Sequence, residues 1–297
     1  MALFVRFWGT RGSIPTPGQR TQRFGGNTSC VEIRTRDQLF ICDGGTGLRE
    51  LGVDLMRRFP PGKEPLTGHM FFSHPHWDHI QGFPFFSPAY IAANTFYVYG
   101  AAKGDKKMYD LLSGQMESAY FPVDFSDLGG KIISKDFEKD VASIAGVKVR
   151  IFRQFHPGGS LGFSFEYRGR KVVYATDNEI DQTLHNKDDT DKSPDLLRKP
   201  PTDLLEFVKD ADLLIADGQY TDAEYATKVG WGHPRATTVV DLAIQAGVKQ
   251  LAIFHHDPMH SDKEVDDMIA ACCDRVMAHK ADLTVFGARE GLELKIS

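Results

Sequence analysis

Phe71-Phe72-Ser73-His74-Pro75-His76-Trp77-Asp78-His79 packs three imidazoles and a carboxylate into six residues, directly after a short apolar run. Neutral imidazole nitrogen and carboxylate oxygen are the ligands that hold zinc and similar first-row divalent metals. The alternate spacing of positions 74, 76 and 78 suits an extended segment leaving a strand, where every second side chain points the same way. Asp78 and His79 are adjacent, so on such a segment they diverge, and one short stretch can serve two neighbouring metals. The competing reading is a histidine-rich turn with no bound ion. Further candidate ligands in matching contexts downstream count against it.

Those candidates each stand at the end of an apolar strand. His156 follows Val149-Arg150-Ile151-Phe152 after a short gap and opens Pro157-Gly158-Gly159-Ser160. Asp177 follows Val172-Val173-Tyr174-Ala175-Thr176, and His255 follows Leu251-Ala252-Ile253-Phe254. Taken singly, His156 reads as a satisfied polar residue and Asp177 as a turn former. His256 competes with His255, which is preferred because its place just past a strand matches that of His74.

In this order the residues resemble the HxHxDH, His, Asp, His series of the metallo-β-lactamase superfamily, and the resemblance extends along nearly the whole chain. It implies an α/β fold, an αββα four-layer sandwich of two mixed β-sheets flanked by helices, with a one- or two-metal site at one edge of the sheets. Carried over residue by residue, it implies that His74, His76 and His156 hold one metal. Asp78, His79 and His255 would hold the second, and Asp177 would bridge them. Two divalent ions, zinc by default with manganese or iron admitted by the same ligand types, would activate a shared hydroxide. Asp43, at the end of the third expected strand, would orient ligands rather than bind metal. Redox members of the superfamily carry Glu where this chain has His76, so the second histidine favours hydrolysis.

A second stretch narrows the branch. Gly230-Trp231-Gly232-His233-Pro234-Arg235, then Ala246-Gly247-Val248 and the strand leading to His255, resembles the C-terminal part of ribonuclease Z and related phosphodiesterases. Gly9-Thr10-Arg11-Gly12-Ser13 and the run from Gly162 to Asp177 are similar too. The match implies that His233 lies near the scissile phosphate, as proton donor to the leaving oxygen or as a cation beside it. Its place ahead of an expected helix over 235–246 also favours an anion. The bland alternative is a surface histidine. Asp217, after the strand Leu213 to Ala216, either orients His233 or simply forms a turn. The candidate catalytic side chains are therefore His233, Asp78 and Asp177. One departure matters: only about 20 residues separate His156 from Asp177, hairpin-sized, where bacterial ribonuclease Z carries a long transfer-RNA-binding arm. That favours a small phosphodiester, such as a cyclic nucleotide or cyclic phosphate.

Composition agrees with this reading. The chain has 297 residues and a formal net charge of -5, which argues mildly against a broad nucleic-acid footprint. No apolar run approaches the roughly 20 residues needed to span a bilayer, and Met1 to Trp8 reads as a first strand rather than a signal peptide. Cys30, Cys42, Cys272 and Cys273 show no regular spacing, as expected of a reduced, cytoplasmic protein. One domain over 1–297 is the simplest organisation, and a homodimer is admitted by the resemblance.

Strands are expected at 31–35 and 38–42 (a hairpin pair), 95–99, 147–152, 162–167 and 171–175, with a tight turn at Arg168-Gly169. Leu48, Leu51, Leu55, Met56 and Phe59 recur at helical spacing, and a last helix spans 261–278. The middle, 108–139, is ambiguous, with a helix over 109–116. The aromatics around it, Phe83, Phe85, Phe86, Tyr90, Tyr120, Phe121 and Phe125, are either core packing or a wall over the site. The polar run 178–201 reads as a surface insertion or mobile loop. Three functions compete: a dinuclear phosphodiesterase on small diesters or RNA, a lactone, thioester or β-lactam hydrolase, and a metal-binding sensor without catalysis.

Overall fold

The computed structural model describes residues 2–100, 106–137, 140–193 and 195–297. Met1, Glu138, Lys139 and Pro194, which fall within the stretches read above, lie outside the described residues. Two seven-stranded sheets face each other. In chain order the strands are β1 (Leu3–Gly9), β2 (Cys30–Arg34), β3 (Leu39–Cys42), β4 (Thr67–Phe72), β5 (Thr95–Gly100), β6 (Lys131–Lys135), β7 (Val141–Ile144), β8 (Val147–Gln154), β9 (Ser160–Tyr167), β10 (Arg170–Ala175), β11 (Leu213–Asp217), β12 (Gln250–Phe254), β13 (Thr284–Gly287) and β14 (Glu293–Ile296). One sheet runs β14-β1-β2-β3-β4-β5-β6 and the other β13-β12-β11-β10-β9-β8-β7. The helices are α1 (Gly47–Arg58), α2 (Trp77–Ile80), α3 (Met108–Gly114), α4 (Lys187–Lys192), α5 (Thr202–Val208), α6 (Asp222–Tyr225), α7 (Ala236–Gln245) and α8 (Asp262–Ala278).

Strand alternation sorts the side chains into three buried layers. Phe40, Phe71, Phe163, Phe165, Tyr174 and Phe254 point between the sheets. Their neighbours point the other way: Met70 and Phe72 meet Leu48, Leu51 and Leu55 of α1. Val173 and Ala175 meet Val239 and Val240 of α7, with Met268 and Cys272 of α8 behind. Apolar burial on both faces is why β4, β10 and β12 read as continuous hydrophobic runs. The result is the expected αββα sandwich.

β3 and β4 are parallel, as are β10, β11 and β12, so their C-terminal ends gather at one edge of the sandwich. β8 points the same way as β10, because each is antiparallel to β9. β9 and β10 fill the interval between His156 and Asp177, with a left-handed Gly158-Gly159 turn at its start (φ 84 and 83).

The polar run 178–201 departs from its reading as a surface loop. Asn178, Glu179, Asp181 and Arg198 are buried within it. The exposed charges around α4 masked them, since charge alone does not separate a solvated carboxylate from a buried, fully bonded one. Phe83, Phe86 and Phe125 belong to the core over the first sheet, whereas Phe85 and Tyr120 are exposed.

Candidate metal centre

The first ligand-bearing segment is not extended throughout. β4 ends at Phe72, and α2 starts at Trp77 with His76 at its N-cap. Adjacent side chains on a helical turn are about 100° apart rather than on opposite faces. Asp78 and His79 therefore converge instead of diverging: Asp78 Oδ2 lies 3.2 Å from His79 Nε2. Pro75 and Trp77 are left pointing away, and Trp77 is 77% exposed.

The strand ends bring all the expected residues together. The polar atoms of His74, His76 and His156 form one tight group, and those of Asp78, His79 and His255 form another. Asp177 faces both. Its Oδ2 is 3.6 Å from His74 Nε2 and 3.8 Å from His156 Nε2, while its Oδ1 is 3.3 Å from His79 Nε2 and 3.4 Å from His255 Nε2. His255 Nε2 also reaches Asp78 Oδ2 at 3.1 Å. His256 points elsewhere. Its Nε2 bonds the Ala288 carbonyl oxygen at 2.8 Å and its ring meets Phe24 edge-on, which settles the ambiguity between the pair in favour of His255 as the residue facing the cluster.

Three of the imidazoles are oriented from behind. Asp43 Oδ2 accepts from His79 Nδ1 at 2.7 Å, from the Ser73 hydroxyl at 2.9 Å and from the Tyr174 hydroxyl at 2.6 Å, so His79 turns its Nε2 to the cluster. Gln219 Oε1 accepts from His255 Nδ1 at 3.0 Å, and the Gly232 carbonyl accepts from His156 Nδ1 at 3.0 Å. The Gly9–Ser13 turn closes over the end of β12. The Gly12 amide donates to the His256 carbonyl at 3.0 Å, and the Ser13 amide donates to Asp78 Oδ2 at 2.7 Å.

Charge follows this geometry. Burial opposes charge on His79, but Asp78, Asp177 and Asp43 outweigh it and hold its pKa well above the usual imidazole value. Burial would raise the Asp177 carboxyl, yet His255, His79 and His74 hold it well below the usual carboxylate range. His74 is driven the other way, first by burial and then by the neighbouring His79, which hold its pKa well below the usual imidazole value. His74 Nε2 is buried with no hydrogen-bond partner, although it faces Asp177. An orphaned imidazole nitrogen among converging nitrogens and carboxylate oxygens fits a divalent cation.

His233 lies beside this centre. Its Nδ1 bonds Asp217 Oδ2 at 2.7 Å, and its ring stacks on that of His255 with centroids 4.9 Å apart. Asp217 therefore orients His233 and is more than a turn residue. The helix N-terminus offers less to an anion than expected. The Arg235 amide donates to Asp181 Oδ2 at 2.9 Å and the Ala236 amide to the Tyr220 carbonyl at 2.9 Å, so both are already satisfied.

Sequence reasoning passed over Glu179 and Asp181. Glu179 Oε1 accepts from the Gly230 amide at 2.6 Å and the Tyr225 hydroxyl at 2.8 Å, and Oε2 accepts from the Gly232 amide at 2.8 Å. Asp181 adds bonds to Arg235 Nε and the Thr238 hydroxyl. Together they pin the loop that carries His233 and supplies the His156 partner. Gln219 was missed as well. No local signal in the sequence marked Glu179 and Asp181, whose partners lie about 50 residues away.

Comparison with known proteins bears on the fold and the family. Residues 39–256 match the family model described as the beta-lactamase superfamily domain. The ribonuclease Z of Halobacterium salinarum is 25% identical, across 86% of this chain and 87% of its own. The crystal structure of a diphosphatase from the PhnP family superposes with a TM-score of 0.66 at 14% identity, over 99% of this chain and 98% of that one. The short form of human tRNase Z superposes with a TM-score of 0.61 at 19% identity, over 99% of both. Among the described residues no helix is long and apolar enough to cross a membrane.

Proposed function

We propose, on the premise that this chain belongs to the metallo-β-lactamase superfamily as a ribonuclease-Z-like hydrolase, that it is a two-metal phosphodiesterase acting on small diesters such as cyclic nucleotides or cyclic phosphates. The observation that carries this reading is Asp177, whose two carboxylate oxygens each face a separate set of imidazoles. His74, His76 and His156 would hold one cation, and Asp78, His79 and His255 the other, with Asp177 between them. Zinc suits these ligands, as do manganese and iron. Bound there, such ions supply Lewis acidity toward phosphoryl oxygens and lower the pKa of water.

The chain's own residues supply the rest. His233 is fixed by Asp217 through Nδ1, which leaves Nε2 to give a proton to the departing oxygen. Burial works against its charge, but Asp217, then Asp177 and Asp78, push its pKa up to about 9, so it enters the reaction as an acid. A carbonyl substrate has less need of this pair, which is why a phosphodiester is favoured over a lactone, thioester or β-lactam. The ribonuclease Z relatives make RNA the second reading, and the short β9–β10 interval argues for a smaller ester. The reading places a single 1–297 unit in a reducing cytoplasm, consistent with four unpaired cysteines.

The test is a substrate panel on protein of measured metal content, with p-nitrophenyl phosphodiesters, cyclic nucleotides, short RNA and lactones. Asp177→Ala should lose metal and all turnover. His233→Ala should keep its metal and lose about 10²- to 10⁴-fold in phosphodiester cleavage. Lactone turnover without phosphodiester turnover, or full activity in His233→Ala, defeats the proposal.

A further inference from the structure

The turn that carries the candidate ligands also forms one wall of a groove. Pro75 and Trp77, interleaved with His74, His76 and Asp78, line a cavity of about 860 Å³ together with Phe85, Leu111, Tyr120 and Phe121. Pockets that take small organic ligands span about 300–1,000 Å³ and are mostly apolar. A larger cavity of about 1030 Å³ opens at the far ends of β3 and β4, away from the centre, where Arg34 and Arg58 are paired with Glu32.

Trp77 and Tyr120 are each 77% exposed, and neither ring stacks on another ring or cation among the described residues. Two other exposed aromatics, Trp231 and Phe85, are already engaged. Trp231 has Lys228 Nζ over its face at 3.9 Å, and Phe85 meets Phe121 edge-on at 5.4 Å. The charged residues of the groove are Lys106, Asp110 and Glu117, so it does not itself attract an anion. A diester thus meets two adjoining environments: cation-holding imidazoles for its phosphate, and two bare aromatic faces for an uncharged arm.

We propose that this groove seats a flat aromatic ring of the nucleobase type, carried on one ester arm of the phosphodiester, with Trp77 and Tyr120 as its stacking faces. The proposal rests on the phosphodiesterase reading and adds the chemical class of the arm. Flat faces favour a ring over an alkyl chain, because base–aromatic stacking tolerates any base and depends little on edge hydrogen bonds.

Two ligands isolate the ring. Adenosine 5′-monophosphate and ribose 5-phosphate share the phosphate and the sugar, and only the first carries a base. Calorimetric titration of the zinc-loaded protein should show the first binding roughly five- to 150-fold more tightly. Trp77→Ala and Tyr120→Ala should each erode that ratio. Tyr120 lies outside the ligand turn, so its variant reports on the groove even if Trp77→Ala disturbs the metal site. Equal affinities, or a ratio that survives both substitutions, overturn the groove assignment while phosphodiester turnover leaves the catalytic reading standing. A dimer seen by light scattering, dissociated by Tyr120→Ala in a protein with no base preference, assigns the groove to a second copy and also overturns it. Absence of both phosphate binding and phosphodiester turnover removes the catalytic reading, and the groove proposal with it.

Discussion

Glu179→Gln should weaken the metal centre without altering any candidate ligand. Glu179 is fully buried and its two oxygens hold the amides of Gly230 and Gly232. A glutamine keeps one accepting oxygen and presents an NH₂ group to the other backbone N–H, donor against donor. The loss includes one charge-assisted hydrogen bond, about 1.5–3 kcal/mol, and overlaps with the roughly 1–3 kcal/mol cost of a buried N–H left unpaired. A total of about 2–4 kcal/mol follows. For 297 residues, about 2.1 cal/mol/K per residue gives an unfolding entropy near 0.6 kcal/mol/K, so the melting temperature should fall by roughly 3–6 °C. The functional effect passes through one peptide. Gly232 gives its N–H to Glu179 and its carbonyl to His156 Nδ1. Outer partners of metal-binding histidines are worth about 10- to 100-fold in metal affinity. The His74, His76 and His156 set should weaken by that factor, while the other set, held by Asp43 and Gln219, should not. Equilibrium dialysis against stepped free zinc, with metal counted per chain, reads this beside thermal unfolding. Two unchanged affinities would refute the role of the Gly232 peptide, whatever the melting temperature does.

Two further outcomes follow from the titrating groups. The proposed acid, His233, has its pKa pushed up to about 9, so under that proposal the rate should hold from neutrality and fall as the proton is lost at higher pH. Bound cations offset part of the pull of Asp177 and Asp78, which moves the falling limb to pH 9 or below, and Asp217→Asn should shift it lower still; a rate that climbs through this range contradicts the assignment. In the metal-free protein His79 carries a proton at Nε2, 3.2 Å from Asp78 Oδ2 and 3.3 Å from Asp177 Oδ1, so zinc uptake at pH 7 should release at least one proton. Calorimetry in two buffers of different ionisation enthalpy measures this, and uptake with no proton release would count against His79 as a ligand.

The candidate ligands His74, Asp177 and His255 were legible because each closely follows a strand whose C-terminal half is buried on both faces. Such strands read as apolar runs, and the polar residue that breaks the run stands out, as His74, Asp177 and His255 do. Helix α1 was legible from the spacing of Leu48, Leu51 and Leu55, all buried. Strands β6, β7, β13 and β14 were not read. They lie at or beside the sheet margins and are only partly buried, so their sequences lack a sustained apolar run. Glu179 and Asp181 were illegible for another reason. Their partners are backbone amides and side chains about 50 residues away, and nothing local distinguishes them from the exposed acids that follow.

Backbone conformation was equally hidden, and it bears on what the cluster is for. Asp43, Asp177 and His255 all sit just past strand ends with positive φ, at 58, 56 and 59. Left-handed backbone costs a residue other than glycine roughly 1–2 kcal/mol, with Asp and Asn the least penalised. Glycine at these places would relieve the backbone but delete the polar atom. All three are buried, and around them lie His74, His79 and Asp78, also buried. Burying that many ionisable groups is itself costly, and apolar residues of similar volume would often serve stability as well or better. The strain and the desolvation coincide at one edge of the sandwich, and a cation that binds only the folded chain offsets part of their cost. At 100 times its dissociation constant such a ligand contributes about 2.7 kcal/mol. That is comparable with the strain of two of the three left-handed residues, so the cluster makes more physical sense as a metal-loaded centre than as a structural element.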